Sequence, residues 1–270
     1  MSAGSATVAI GPGSAARLRW QRRAIRAGIV LGIAGALIGF WAIIWDQTDF
    51  LPSPAATWDV GVDLLGRSGT FDDIFATVRR LVVGLAIGYG AAVIVSLIMN
   101  QSRWWNGFFT PYVFTMLTIP SLATALISLM IFGLSEVGVY LAVAGVIFPF
   151  ATVGLLEGLS NMDGRLNEMT MVYRWGRWER IRHQLLPQMA PFMFAAFRNV
   201  HALAWKIVVI AELFSQQNGI GFQYKRSYEF FELERLIVWG IFFVTLVMLV
   251  EYALLRPFEA YVFRWQRAER

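Results

Sequence analysis

Apolar runs about twenty residues long recur along this chain, and they fix its solvent before any other feature is considered. The first, Ala27–Trp45, has nineteen residues and no charge. As a helix it would reach roughly 28 Å, enough to cross the hydrocarbon core of a bilayer. Comparable runs follow at about 81–99, 108–134, 137–156, 189–211 and 236–255. Hydrophobic residues make up 57% of the 270-residue chain and charged residues 15%, against about 45–50% and about 25% in soluble domains. The fold class expected is therefore an all-α integral membrane protein with six transmembrane helices. A cleaved signal peptide shares the basic start but has a shorter apolar core. Trp41 and Trp45 stand where an interfacial belt belongs, which favours a retained helix.

Composition removes several chemistries. There is no cysteine, and His183 and His201 are the two histidines, so no thiolate or histidine-built metal centre is expected. Neither lysine follows a glycine, so the chain lacks a Gly-x-x-x-x-Gly-Lys phosphate loop. No Gly-x-Ser-x-Gly is present either, which argues against a membrane-embedded hydrolase. The net charge of +5 comes from arginine. In a membrane protein that excess reads as cytoplasmic anchoring, not as nucleic-acid binding.

Charge also orients the chain. With the N-terminus inside, the inside segments hold fifteen arginines and the outside segments six basic residues. That bias places both termini in the cytoplasm, although Arg79-Arg80 runs against the rule locally. The organisation expected is a basic tail over 1–26, a first span over 27–45 and an external or interfacial segment over 46–80. A transmembrane core over 81–255 follows, with a cytoplasmic loop at 163–187, and a cytoplasmic tail over 256–270 closes the chain. Gly84, Gly88 and Gly90 in the second span are small residues of the kind that let helices approach closely. The third run is broken by Pro111 and Pro120. Its prolines fit either plain packing geometry or a bent helix lining a pathway.

The fifth run is unusual. It carries Arg198, Asn199, His201 and Lys206 and ends at Glu212. Charges inside a span are costly and mark a pair, a cavity or a pathway. Arg198, His201, Trp205 and Glu212 recur at three-or-four spacing and share a helix face, with Lys206 beside it. Two readings stay open. One is an internal ion pair, Lys206 or Arg198 with a carboxylate such as Glu212 or Glu251. The other is a positive lining that an anionic solute passes.

The most polar stretch between apolar runs is Asn167–Pro187. Arg165, Arg174, Arg177, Arg180 and Arg182 crowd it, interleaved with Tyr173, Trp175 and Trp178. Without a broad apolar stripe, a helix here should lie outside the bilayer. Basic cytoplasmic loops need no partner. The interleaved aromatics fit a docking surface, with arginines for a partner's acidic groups and for membrane lipid phosphates. Pro187 would stop that helix or start the next one.

Glu168 followed by Leu186-Pro187 eighteen and nineteen residues later resembles the EAA loop of ABC-importer permeases. Met169 and Thr170 replace its two alanines, Arg174 its glycine and Gln184 its isoleucine. Other pieces, in order, resemble the nitrate, sulfonate and taurine branch of that family: Leu51-Pro52-Ser53-Pro54, Val78-Arg79-Arg80 before Gly84, Thr118-Ile119-Pro120, Phe132 to Glu136, Ala204-Trp205, Ala211-Glu212, Gly219-Ile220-Gly221 and Arg264-Trp265. The resemblance runs from about residue 51 to the end.

That resemblance implies a type I ABC importer permease fold in a bacterial inner membrane. The chain would be a non-enzymatic subunit that forms the pathway as a homodimer or with a paired permease. Two cytoplasmic ABC ATPase subunits would use ATP and Mg, which this chain itself does not bind. An external solute-binding protein would deliver a small anion or organic solute such as a sulfonate, taurine or nitrate. The coupling residues implied are Glu168, Tyr173, Arg174, Trp175, Gly176, Trp178, Leu186 and Pro187. The candidate pathway residues are Arg198, His201, Trp205, Lys206 and Glu212. The alternative is a stand-alone secondary transporter that uses the fifth-span charges as an ion relay, although no inverted repeat is visible.

Overall fold

The computed structural model describes residues 51–162 and 176–262 and part of 28–46. All regular structure among the described residues is helical. The chain divides into two units, Met1–Val60 and Gly61–Arg270. In the first, residues 39–46 are helical and belong to the expected first span, whose remainder lies largely outside the described residues. The Leu51-to-Pro54 turn ends in a helix start. The Ser53 hydroxyl accepts from Ala56 N at 3.1 Å, and Pro54 opens helix α1, Pro54–Leu65. Proline suits a first helical position, whose N–H has no helical partner to lose. The Trp41 indole N–H donates to Pro52 O at 3.2 Å.

The second unit begins inside α1 and is built from long helices. Helix α2 spans Ser68–Met99. An external or interfacial segment to residue 80 and a span from 81 were expected; one helix runs through both stretches, with Arg79-Arg80 inside it. Arginine is a good helix former, and carboxylates from other helices pair with both side chains. Helices α3 (Arg103–Thr118) and α4 (Ser121–Phe132) form one apolar unit bent by 103°. Pro111 is carried within α3. Pro120 marks the break: it has no N–H to give to Met116 O and restricts Ile119 to extended backbone. A turn at Gly133 (φ 81°) leads to α5, Glu136–Ser160. There the Ser135 hydroxyl accepts from Gly138 N at 3.3 Å, an N-terminal cap.

Helix α5 is the central post. Val139, Ala142, Val143, Ile147, Ala151 and Leu155 are all fully or almost fully buried. Two of the three second-span glycines explain the fit on the α2 side. A Cβ on Gly84 would lie 2.7 Å from Val143 Cβ, and one on Gly88 2.7 Å from Ala144 Cα. Gly90 meets nothing within 4 Å and plays no such part. On the opposite side Gly158 abuts Phe192, whose Cβ would be 2.5 Å away.

A short helix at Arg177–Arg180 widens into π turns at Ile181–Leu185 and continues as α6, Leu186–Ser215. Pro187 sits in the first turn of α6, so of the two roles expected for it, starting the next helix is the one observed. Helix α7 (Ile220–Glu229) precedes α8 (Leu233–Leu249). Helix α8 passes through π turns at Val250–Leu255 into α9, Arg256–Val262. The helix therefore continues past residue 255, where the last span was expected to end. Among the described residues, four continuous helices are long and apolar enough to cross a membrane, or five if the bent α3–α4 pair counts as one. A sixth would have to come from 27–45, which is only partly described.

Candidate functional site

The most developed polar cluster among the described residues lies where α5 begins and α6 ends, against the first half of α2. On α2, Asp73, Thr77 and Arg80 follow at helical spacing and face inward. Arg80 is fully buried, yet its five N–H donors are all used. Nη1 pairs with Glu212 Oε1 at 2.6 Å and donates to Asn218 O at 3.0 Å. Nε and Nη2 grip the Glu136 carboxylate at 3.1 and 2.7 Å. Nη2 also reaches the side-chain oxygens of Gln216 and Asn218. Arg79, half-exposed, adds a second cation to Glu136 at 3.0 Å.

Glu212 is fully buried too, and its second oxygen accepts from Thr77 Oγ1 at 2.9 Å and Gly221 N at 3.0 Å. Asp73 accepts from Gly219 N at 2.7 Å and Gln223 Nε2 at 2.6 Å, and Ile220 N donates to Thr77 Oγ1 at 2.9 Å. The Gly219-Ile220-Gly221 turn is thus laid on the charged pair. Gly219 has φ 103°, and a Cβ there would lie 2.7 Å from both Arg80 Nη1 and the Glu212 carboxyl carbon. Glycine is required on both counts. A buried charge persists only when paired and hydrogen-bonded, and this one joins three spans and the start of α7. Arg80, Glu136, Asp73 and Thr77 were not among the expected site residues. The signal for them was Arg79-Arg80 opposing the charge bias of its segment.

The fifth-span residues separate into different environments. Glu212 belongs to the Arg80 cluster. His201 and Trp205 are buried, with the indole N–H donating to His201 Nε2 at 3.0 Å. Arg198 pairs with Glu251 and, at 3.1 Å, with Glu259. The internal-pair reading therefore describes Arg198. Lys206 differs: it is exposed and makes no ion pair with any described residue.

Of the polar loop, Glu168, Tyr173, Arg174 and Trp175 lie outside the described residues. Gly176 N donates to Glu179 Oε2 at 3.0 Å, a carboxylate closing the start of the short helix. Trp178 is 70% exposed and Leu186 50%, so a large apolar group stands uncovered on each side of the π turns.

Residues 84–266 match the family of binding-protein-dependent transport system inner membrane components. The chain belongs to this family. A Bacillus subtilis protein named for aliphatic sulfonates transport as a permease is 21% identical over 253 residues, covering 93% of this chain and 90% of its own. Its Escherichia coli K12 namesake is 24% identical, covering 93% and 95%. A nitrate import permease protein of Leptolyngbya laminosa is 25% identical, covering 74% and 75%. This chain is accordingly a multi-pass membrane permease of a transport system, not an enzyme, and it matches the nitrate and sulfonate branch. The matched region takes in Glu136, Glu212 and the Gly219-Ile220-Gly221 turn of the charged cluster, the fifth-span residues and the whole polar loop, and begins after Asp73, Thr77 and Arg80.

Proposed function

We propose that this permease is the transmembrane subunit of an ATP-driven importer for a small oxyanion or organic anion, in the sulfonate, taurine and nitrate range. The family match over 84–266 carries the reading. The sulfonate and nitrate names of its relatives supply the solute class. Two copies, or this chain and a paired permease, enclose the pathway, with both termini and the 168–187 loop in the cytoplasm of an inner-membrane protein. An external binding protein delivers solute at the end of the molecule where Arg80 lies. ATP and Mg act on two partner ATPase subunits. This chain supplies the grip: Glu168, Tyr173, Arg174, Trp175, Gly176, Trp178, Leu186 and Pro187 form the contact, and nearby arginines rest on lipid phosphates. The geometry in favour is the pair of uncovered side chains, Trp178 and Leu186, at the start of a helix that runs to Glu212. A push on that start passes through the π turns and along α6 to the external charge cluster.

Tagged permease purified in mild detergent should bring down an ATPase subunit in near-equal amount. Trp178→Ala should weaken that attachment about tenfold or more, as truncating an exposed aromatic anchor does. Glu168→Ala should leave ATP hydrolysis running while uptake of a short sulfonate falls. Recovery of the chain alone under several detergents, or normal uptake by both variants, would sink the coupling role.

A further inference from the structure

Pro120 leaves more than a bend. A cavity of about 230 Å³ opens at the α3–α4 break, with Thr118, Ser121 and Thr124 on one side and Val146, Phe150 and Leu203 on the other. Its depth follows from helix arithmetic. Val146 and Phe150 lie ten and fourteen residues into α5, and Leu203 lies twelve residues before the end of α6. These two helix ends meet at Arg80. At 1.5 Å per residue the cavity sits about 15–21 Å from that common end, near the middle of a roughly 30 Å hydrocarbon core. Broken helical backbone at that depth is tolerated only where protein covers it or water fills a cavity beside it.

Lys206 lies three residues on from Leu203, on the same face of α6. It is exposed, about 14 Å from the helix end by the same arithmetic. An ammonium at that depth facing lipid is costly, and such groups turn to a bundle interior or a water-filled cavity instead. We propose that the cavity is the solute-binding site within the span. It takes an organic anion with an oxyanion head and a short apolar tail, a small alkyl sulfonate being the best fit. Ser121 Oγ can donate to the head; the Thr118 and Thr124 hydroxyls, which here donate to Thr115 O at 2.7 Å and Pro120 O at 3.5 Å, turn from those carbonyls to do the same, and Lys206, one turn beyond the lining residue Leu203, neutralises its charge. Phe150, Val146 and Leu203 provide an apolar wall for the tail. The volume is below the roughly 300–1,000 Å³ of sites for drug-sized ligands, which suits a solute of a few heavy atoms. The proposal rests on the importer reading for its solute class alone.

The chain has no native cysteine, so Thr124→Cys and Ser121→Cys each carry one thiol at the cavity. In nanodiscs, with whatever subunits co-purify, each is reacted with a sulfonate-bearing and an ammonium-bearing methanethiosulfonate at low ionic strength. Both reagents should label at least one of the two positions. Lys206→Gln should lower the anionic-to-cationic rate ratio about tenfold, the size expected of one nearby charge. Lys206→Arg should preserve the ratio, and millimolar ethanesulfonate should slow labelling. Absence of labelling at both positions overturns the site. So does a ratio that Lys206→Gln leaves unmoved, and failure of ethanesulfonate to protect overturns the sulfonate assignment. Labelling requires neither ATP nor uptake, so a negative result here leaves the ATPase-coupling experiment standing, and the reverse holds as well.

Discussion

Arg80→Ala is expected to destabilise the permease by about 3–5 kcal/mol, because it strands Glu212, a fully buried carboxylate, without its cation. The side-chain acceptors on Gln216 and Asn218 would lose their donor in the same step. The apparent melting temperature, followed by tryptophan fluorescence in detergent, should fall on the order of 10 °C. A double variant separates the cost of an orphaned charge from the worth of the pair. Arg80→Met with Glu212→Met replaces both charges by flexible apolar chains and should recover a large part of the loss. Arg79→Ala should cost little, because Arg79 and Glu136 are both partly exposed and Arg80 still holds Glu136. An unchanged melting temperature in Arg80→Ala would remove the cluster from any role in holding the spans together.

The contrast between this cluster and the rest shows what the sequence can reveal. The apolar runs at 137–156, 189–211 and 236–255 each fall inside an observed helix, because periodicity and length are local properties. Pro120 was readable as a break for the same reason. The Arg80–Glu212 pair was not, since its partners are 132 positions apart and only packing brings them together. Helix bounds failed in a related way. Arg79-Arg80 looked like the edge of a span because a lone charge would be one; the helix runs through it from Ser68, and Glu136 and Glu212 pair with Arg80. Arg256 looked like the end of the last span, yet the helix passes through π turns and continues to Val262. Of the fifth-span charges, sequence showed a common face but could not assign Arg198 to Glu251 while leaving Lys206 exposed.

Gly88 offers the sharpest test of how the spans meet. A Cβ there would sit 2.7 Å from Ala144 Cα and 2.8 Å from Ala144 O, both backbone atoms of α5. A side chain can rotate away from such an intrusion; a helix backbone cannot, so α2 and α5 must part. Gly88→Ala should therefore cost about 1–3 kcal/mol by overpacking, and Gly88→Leu more. The matched control is Gly90→Ala, two residues along, where nothing lies within 4 Å. There alanine should be neutral or raise stability by up to about 1 kcal/mol, since it stiffens a helix without meeting a neighbour. The two variants differ from wild type by the same single methyl on the same helix, so propensity cancels and only the α2–α5 contact remains. Melting temperatures that fall for Gly88→Ala and hold for Gly90→Ala would confirm close packing on α5. Equal responses would mean that the helices are not in contact at Gly88. Because Gly88 lies two turns from Arg80 on the same helix, separation there also pulls on the Glu212 pair. Combining Gly88→Ala with Arg80→Ala should then cost less than the sum of the two, the sign of a shared element.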